Sequence, residues 1–298
     1  MQPRVTVVTL GDLPWETVSR GRVNAIRRKR LPMESGIPCA TFEYSYSVVP
    51  DGYYTPRHRH NFDQIRYTTY GIQSTGLGDL GPGECGYFPE GAYYGPQQQK
   101  GECGCLVLQF QGASGERLLS NEEMNATYQS MIAAGAKFEN GVYTTHKQDG
   151  KKLNKDSYVA IWEQHEGRDL TFPKPRYREP VMMMSERFAW VPDRKRRGVE
   201  TKHLMTFTEY RNEIGFIRLL AHAALEGCRQ PAVELRYLLE GAVTYAGKRW
   251  EKDTYFFLPA SAEVEPIQTE VGATFFSLTL PMISELAARY AESKVKVA

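Results

Sequence analysis

An internal duplication is the feature of this 298-residue sequence that most constrains its fold. Landmark residues in the first half recur at one fixed distance further along the chain. The pairs, each separated by 170 positions, are Gln64 and Glu234, Tyr67 and Tyr237, Gly71 and Gly241, and Pro89 and Pro259. Because the spacing between landmarks is kept without insertion or deletion, we expect both copies to trace the same chain path. The sequence therefore predicts two similar domains.

Each copy consists of short alternating runs separated by turns. Residues 41–46 alternate in the first copy and residues 213–218 in the second, and each copy closes on an apolar run, 105–110 and 274–280. Alternation with a period of two among aromatic and β-branched residues is typical of half-buried strands. Glycine- and proline-rich turns lie between the runs, most densely over 71–95. This pattern predicts an all-β chain of two jelly-roll barrels.

The duplication also predicts the domain boundaries. We expect an N-terminal barrel over 1–117, a bridging segment over 118–185 and a C-terminal barrel over 186–298. A helix from Pro281 to about Glu292 is expected to close the chain.

One helix is predicted in the bridging segment. Ser120 is a suitable N-cap, and Glu123 stands three residues later, which is a capping-box pattern. The helix is expected to run to about Ala134 and to end at Gly135. The apolar run 158–162 is predicted as a strand.

Composition limits the partners that the chain can have. A formal net charge of +2 is too small to indicate nucleic-acid binding, and the basic runs 27–30 and 194–197 are interpreted as solvated loops in preference to anion sites. The sequence shows no secretory h-region and no apolar run of membrane-spanning length, so no membrane partner is expected. Five cysteines, an odd number, favour reduced thiols and a cytoplasmic protein. A small-molecule substrate remains as the expected partner.

Two histidines form the strongest chemical motif. His58 and His60 are two residues apart, so on a regular strand they share a face with Gln64. Neutral imidazoles are common ligands of first-row metals, and a carboxamide oxygen can be a weaker third ligand. Phe62 and Arg66 share this parity. The alternatives are a polar barrel interior without metal and, for Arg66, an outer-wall salt bridge in place of binding a substrate carboxylate or enolate.

The stretch from Gly52 to Gln98 resembles the two sequence motifs of the cupin superfamily. The first motif, G-x5-H-x-H-x3-E-x6-G, is matched by Gly52, His58, His60, Gln64 and Gly71. The second, G-x5-P-x-G-x2-H-x3-N, is matched in spacing by Gly83, Pro89, Gly91, Tyr94 and Gln98. The resemblance implies a two-barrel cupin protein with one divalent transition metal in the first barrel, at His58, His60, Gln64 and Tyr94.

Two ligand positions depart from the cupin pattern. Gln64 stands where glutamate is usual, and Tyr94 stands where histidine is usual. A neutral ligand set weakens binding of hard cations and leaves the metal more electrophilic, so iron, manganese, nickel, zinc and copper all stay open. Tyr94 could bind through its phenolate or donate a hydrogen bond near the metal. With Arg66 it is a candidate catalytic residue.

The second copy lacks the motif. The positions that correspond to the four ligands are Cys228, Gln230, Glu234 and Val264. The resemblance implies that this barrel serves packing and homodimer formation. It also implies a metal-dependent enzyme for a small aromatic or carbonyl-bearing substrate, foremost of the dioxygenase type. A cupin lyase, isomerase or cyclase, and a non-catalytic binding or sensing protein, are the alternatives.

Overall fold

The computed structural model describes residues 3–33, 42–112, 114–146, 149–207 and 212–280. The helices in this part of the chain are α1 (Asn121–Ala133) and α2 (Ser157–Glu166), and 3-10 turns span Leu10–Asp12 and Ser185–Arg187. Neither described α-helix is long and apolar enough to cross a membrane. The strands are β1 (Thr6–Thr9), β2 (Glu16–Val18), β3 (Ile26–Leu31), β4 (Phe42–Val49), β5 (Tyr54–Thr55), β6 (Phe62–Tyr70), β7 (Gln73–Ser74), β8 (Asp79–Leu80), β9 (Cys85–Phe88), β10 (Gln97–Gln98), β11 (Cys103–Gln111), β12 (Lys137–Glu139), β13 (Val142–His146), β14 (Lys152–Asp156), β15 (Val181–Met183), β16 (Val191–Pro192), β17 (Val199–Phe207), β18 (Asn212–Leu219), β19 (Ala224–Leu225), β20 (Cys228–Arg229), β21 (Glu234–Tyr245), β22 (Lys248–Glu251), β23 (Thr254–Leu258), β24 (Glu263–Val264), β25 (Ile267–Gln268) and β26 (Ala273–Thr279).

The first compact unit comprises the described residues of 14–30 and 41–184. Its main sheet has seven strands in the order β15-β9-β6-β11-β4-β3-β2, and short ladders join β5 to β10 and β7 to β8. Strand β6 lies near the centre and pairs antiparallel with β9 and β11. Gln64 of β6 therefore lies opposite Phe88 on one neighbour and Gln109 on the other, deep in the barrel wall.

The second compact unit comprises the described residues of 1–13, 31–40 and 185–298. Its main sheet follows the order β1-β23-β21-β26-β18-β17-β16, with β19, β22 and β25 attached. Strands β4, β5 and β10 recur as β18, β19 and β25, and both ends of each strand are displaced by 170 residues. The predicted all-β class and the duplicated barrel are confirmed.

The predicted bridge helix is confirmed as α1. The Ser120 hydroxyl accepts from the Glu123 amide at 3.2 Å, and the Glu123 carboxylate accepts from the Ser120 amide at 2.8 Å. This reciprocal pair satisfies two amides that the first helical turn leaves without partners. Gly135 follows the helix with φ of 88°, a backbone conformation that glycine adopts without strain.

The predicted strand at 158–162 is wrong, because these residues lie in α2. The Asp156 side chain caps the helix by accepting from the amides of Tyr158 and Val159. Tyr158, Ile161 and Trp162 are buried, and their spacing of three and four residues is that of one helix face. An apolar run of five residues does not by itself distinguish a strand from a buried helix turn.

The bridging segment also differs from prediction in content and in boundaries. It holds two helices and the three-stranded sheet β12-β13-β14, where one helix was expected. The described residues of 118–184 group with the first unit and those of 1–13 with the second, so no domain boundary lies at 117. The two units divide between Met184 and Ser185, one residue from the predicted boundary. The helix predicted from Pro281 to Glu292 lies outside the described residues.

The two helices pack on the first barrel through an apolar cluster. It includes Leu118 and Met124 from α1 and the segment before it, Ile161 and Trp162 from α2, and Phe62 from β6. Ile161 and Trp162 are fully buried, and the indole nitrogen of Trp162 donates to the Arg117 carbonyl at 2.9 Å. The cluster fixes the helices against the strand that carries Gln64 and Arg66.

Trp162→Ala is expected to lower the free energy of unfolding by about 3–5 kcal/mol, because it opens a large cavity at a fully buried position. Ile132→Ala on α1 is the matched control, since Ile132 is 41% exposed and its truncation should cost well under 1 kcal/mol. Urea unfolding followed by far-ultraviolet circular dichroism measures both. Equal losses in the two variants would contradict the helix packing.

Candidate functional site

The first unit contains a cavity of about 160 Å³. Its walls come from β3, β4, β6, β11, α1, α2 and the segment that precedes β6. Alternate residues of β6, namely Phe62, Gln64 and Arg66, line it, as the period of a strand requires. The volume lies below the ~300–1,000 Å³ of pockets for drug-sized ligands, so the cavity suits a small molecule.

His58 and His60 lie side by side on the cavity wall. His58 exchanges two backbone hydrogen bonds with Tyr94, each of 3.0 Å, and the His60 carbonyl accepts from the Gly91 amide at 2.9 Å. His58 is 2% exposed and His60 is 8% exposed, and the centroids of their rings are 4.8 Å apart. His60 stacks on Phe62 at 4.5 Å. The predicted pair is thus brought together and held from both backbone and side chains.

Both imidazoles are neutral in the folded protein. Burial, with the nearby Arg22 guanidinium, lowers the pKa of His58 to about 3. Burial also holds the pKa of His60 well below its ordinary value, with smaller contributions from His58, Arg22 and Arg66. The His58 Nδ1 lies 2.8 Å from the Pro56 carbonyl oxygen, which can only accept. Nδ1 therefore carries the proton, and Nε2 keeps its lone pair.

Arg66 connects two of the predicted ligand residues. Its Nε donates to Gln64 Oε1 at 2.7 Å, and its Nη2 donates to Tyr94 Oη at 2.9 Å. The guanidinium carbon lies 4.2 Å from the centroid of the Phe88 ring. Arg66 is 8% exposed and lines the cavity, so it does not form the outer-wall salt bridge that the sequence left open.

Tyr94 is placed differently from the other predicted ligands. It is 1% exposed, and it is not among the described residues that line the cavity. Burial raises the pKa of Tyr94 to about 12, so the phenol keeps its proton at neutral pH and does not offer a phenolate. The observed role of Tyr94 is to hold the Arg66 guanidinium. The Tyr94 ring also lies beside the His58 ring, with centroids 4.3 Å apart, and a role of Tyr94 as metal ligand stays a prediction.

Three further arginines, which the sequence did not indicate, line the cavity: Arg20, Arg22 and Arg28. Arg20 and Arg22 flank Gly21 in the turn between β2 and β3, where φ is 43° at Arg20 and 76° at Gly21. Arg28 lies in β3 and is 8% exposed. The interpretation of the run 27–30 as a solvated loop is wrong, because it forms part of the sheet.

These arginines differ in whether a carboxylate neutralises them. Arg28 forms ion pairs with Glu16 and Glu43. Arg22 donates to the hydroxyl of Tyr53 at 3.0 Å and forms no ion pair with a described carboxylate. Neutral neighbours do not cancel the positive electrostatic potential of a buried guanidinium. The cavity therefore attracts an anion.

The donor set fits a divalent transition metal at the two imidazoles. His58 Nε2 has its lone pair, and the buried His60 Nδ1 has no hydrogen-bond partner among the described residues. Gln64 Oε1 accepts one hydrogen bond and retains a second lone pair as a weaker third donor. The described residues contain no cluster of three histidine, cysteine or carboxylate side chains suited to a metal. Any metal here is held by neutral protein ligands.

The equivalent positions of the second barrel form a closed ion pair. Arg236 donates from Nε and Nη2 to the two carboxylate oxygens of Glu234, each at 2.7 Å. Gln230 and Ser277 also donate to this carboxylate, at 3.0 and 2.8 Å. Burial alone raises the pKa of Glu234, but Arg236 and the hydrogen bonds hold it below its ordinary value. Glu234 is thus bonded within the barrel, and Cys228 is exposed.

No protein-family model and no curated protein sequence matches the chain. Solved structures do. A provisionally assigned dioxygenase from Nostoc punctiforme is 15% identical with a TM-score of 0.65, over 93% of this chain and 82% of that one. Streptomyces albus HEPD, solved with 2-hydroxyethylphosphonate and Fe(II), is 12% identical with a TM-score of 0.54, over 97% and 78%. Oxalate decarboxylase from Bacillus subtilis is 12% identical with a TM-score of 0.52, over 92% and 76%. These likenesses show the fold, and the chain has the two-barrel cupin fold that its motifs predicted.

The cavity-lining residues that the sequence did not reveal come from distant parts of the chain. Arg20 and Arg22 reach the cavity from a turn before β3, and Tyr158 reaches it from α2. Tyr158 donates to the Asn61 side-chain carbonyl at 2.6 Å, next to His60. The buried spacing within α2 is a signal that could have identified Tyr158. No local pattern marks Arg20 or Arg22.

The neutral histidines predict how the stability of the metal-free protein depends on pH. His58 is protonated below about pH 6.5 when unfolded, but stays neutral to about pH 3 when folded. The unfolded state therefore binds more protons in this window. The free energy of unfolding is expected to fall as pH decreases through it, by up to ~1.4 kcal/mol per pH unit for one such proton.

Replacing both histidines isolates their contribution to the pH dependence of the free energy of unfolding. The double variant His58→Gln, His60→Gln is expected to show a shallower pH dependence in urea unfolding with chelator present. His146→Gln is the control, because His146 is exposed on β13. The same slope in the double variant and the unmodified protein would show that the two imidazoles titrate normally.

Proposed function

We propose that the first barrel is the active site of a metal-dependent enzyme that acts on a small organic molecule, by chemistry of the dioxygenase type. The observation that carries this proposal is the pair of buried, neutral imidazoles of His58 and His60, 4.8 Å apart on the wall of the cavity in the first unit. Neutral imidazole is the form that binds first-row transition metals. Burial of this pair costs stability at low pH, which a purely structural role does not require.

The fold comparisons support the reaction class. HEPD was solved in the same fold with Fe(II) and its substrate, and the Nostoc punctiforme protein is provisionally a dioxygenase. Oxalate decarboxylase shares the fold as well, so a lyase reaction is the neighbouring alternative. A divalent transition metal, when bound, supplies a Lewis-acid or redox centre.

The residues of the chain divide the remaining tasks. His58 and His60 would hold the metal, and the Pro56 carbonyl fixes the tautomer of His58. Arg66 presents a cation to the bound molecule, and Tyr94 keeps the guanidinium in place. Helices α1 and α2 cover one side of the cavity with apolar side chains and limit the access of water.

A non-catalytic binding protein is the second candidate. Arg66 donates to both Gln64 and Tyr94, so among the described residues of this cavity the two imidazoles are the strong donors of a metal site. A cavity with this arrangement can hold an organic molecule without transforming it. Metal content and turnover separate the two candidates.

Elemental analysis of the purified protein is expected to find one transition metal for each chain. His58→Ala and His60→Ala, singly and together, should lose it, because each removes one of two strong ligands. His146→Ala should retain the metal, since His146 is exposed on another sheet. Metal that persists in the double variant, or none in any sample, would contradict a centre at this pair.

Oxygen uptake separates the reaction classes. Iron-loaded protein with a panel of β-diketones, catechols and small organic acids is expected to consume dioxygen together with a substrate, and the His58→Ala variant should not. Product formation without oxygen uptake would replace the dioxygenase assignment by a lyase. Stoichiometric metal without turnover of any compound would favour the binding protein.

A further inference from the structure

Equivalent arginines in the two barrels have different hydrogen-bond partners. Arg66 and Arg236 are 170 residues apart, and both donate through Nε to the residue two positions before them. In the second barrel that residue is Glu234, which neutralises Arg236 with both carboxylate oxygens at 2.7 Å. In the first barrel it is Gln64, which is neutral. Arg236, which has an internal counter-ion, can therefore be compared directly with Arg66 in the same chain.

Arg66 has no such counter-ion in the described part of the chain. Its hydrogen-bond acceptors are the amide oxygen of Gln64 and the hydroxyl of Tyr94, and it lies over the ring of Phe88. These groups stabilise a cation but carry no negative charge. A cation that is 8% exposed without a paired anion is costly in a protein interior, and it attracts an anion from solution.

The neighbouring arginines add to the unpaired positive charge of the cavity. Arg20 is held by the side-chain carbonyls of Asn121 and Asn125 on α1, and neither Arg20 nor Arg22 forms an ion pair with a described carboxylate. Asp156 acts on Arg22 only at longer range. Three cavity-lining guanidiniums therefore lack a paired carboxylate, whereas Arg28, the fourth, has Glu16 and Glu43.

We infer that the substrate is a small organic acid whose carboxylate binds the Arg66 guanidinium in the first barrel and supplies the negative charge that Glu234 supplies to Arg236 in the second. The inference rests on the proposed function in placing the substrate in this cavity. A planar guanidinium matches a carboxylate with two parallel hydrogen bonds. Gln64 and Tyr94 occupy Nε and one N–H of Nη2, so the carboxylate would bind the edge formed by Nη1 and Nη2, where Nη1 forms no hydrogen bond with a described residue. The carbonyl or aromatic part of the acid then lies beside His58 and His60.

Matched acid and amide probes test the substrate class. Pyruvate and pyruvamide, and benzoate and benzamide, differ in the charged group but little in shape. Isothermal titration calorimetry of the full chain, both metal-free and loaded with Mn²⁺ alone, is expected to show that at least one acid binds roughly 10- to 100-fold more tightly than its amide.

Two variants assign the preference to Arg66. Arg66→Gln removes the cation, and Gln64→Glu supplies an internal carboxylate that should pair with Arg66 as Glu234 pairs with Arg236. Both should bring the acid-to-amide ratio close to one, and Gln64→Glu should still bind Mn²⁺. Arg57→Gln is the control, because Arg57 is adjacent to His58 but exposed, and it should keep the full preference.

The possible results separate this inference from the proposed function. An acid preference that disappears in both variants supports it, even if Mn²⁺ does not bind and the metal-dependent function fails. Mn²⁺ bound at His58 and His60 with equal binding of acid and amide overturns the inference and leaves the function standing. An acid preference that survives in both variants also overturns it, because the carboxylate then binds elsewhere.

Discussion

The site depends on one buried cation, the Arg66 guanidinium. Burying an ion without a partner costs several kcal/mol, and a protein normally offsets that cost with a carboxylate. The second barrel does so through Glu234 and fills the space with Gln230 and Ser277. The first barrel has Gln64 at the equivalent position, so its arginine is positioned by hydrogen bonds but not neutralised. One change from carboxylate to amide therefore distinguishes a closed barrel from one that can accept an anion.

The neutral histidines and the cationic wall are complementary. Burial lowers the pKa of both imidazoles, and the arginines near them lower it further, which keeps them available as metal ligands. The same positive field opposes a dication that has only neutral ligands. A bound carboxylate offsets that charge, so acid and metal should each strengthen the binding of the other, by the reciprocity of linked equilibria. Metal affinity measured without the acid would then underestimate the affinity of the working site.

Much of the fold could be predicted from the sequence because its determinants are local or periodic. The 170-residue spacing of landmarks such as Tyr67 and Tyr237 predicted the duplicated barrel, and Ser120 with Glu123 predicted the start of α1. The helix α2 was not predicted because five apolar residues fit two periods equally well, and the residue that caps the helix, Asp156, lies before that apolar run.

The site could be predicted only in part, for a different reason. Motif spacing selected His58, His60 and Gln64, and strand parity added Arg66; all four line the cavity. Neither motif spacing nor strand parity could show that Arg66 donates to Gln64 and Tyr94, because hydrogen bonding between side chains depends on tertiary contacts. Arginines contributed by a turn before β3 have no pattern that links them to the histidines.

The most direct test is a crystal structure of the full chain grown with Mn²⁺ and pyruvate, with anomalous scattering used to locate the metal. The first barrel should show one Mn²⁺ bound to His58 and His60 and a pyruvate carboxylate on the Arg66 guanidinium. The second barrel should show neither, with the pair of Glu234 and Arg236 intact. Mn²⁺ away from the two imidazoles, or a carboxylate that leaves Arg66 bonded only to Gln64 and Tyr94, would contradict the assignment of this cavity.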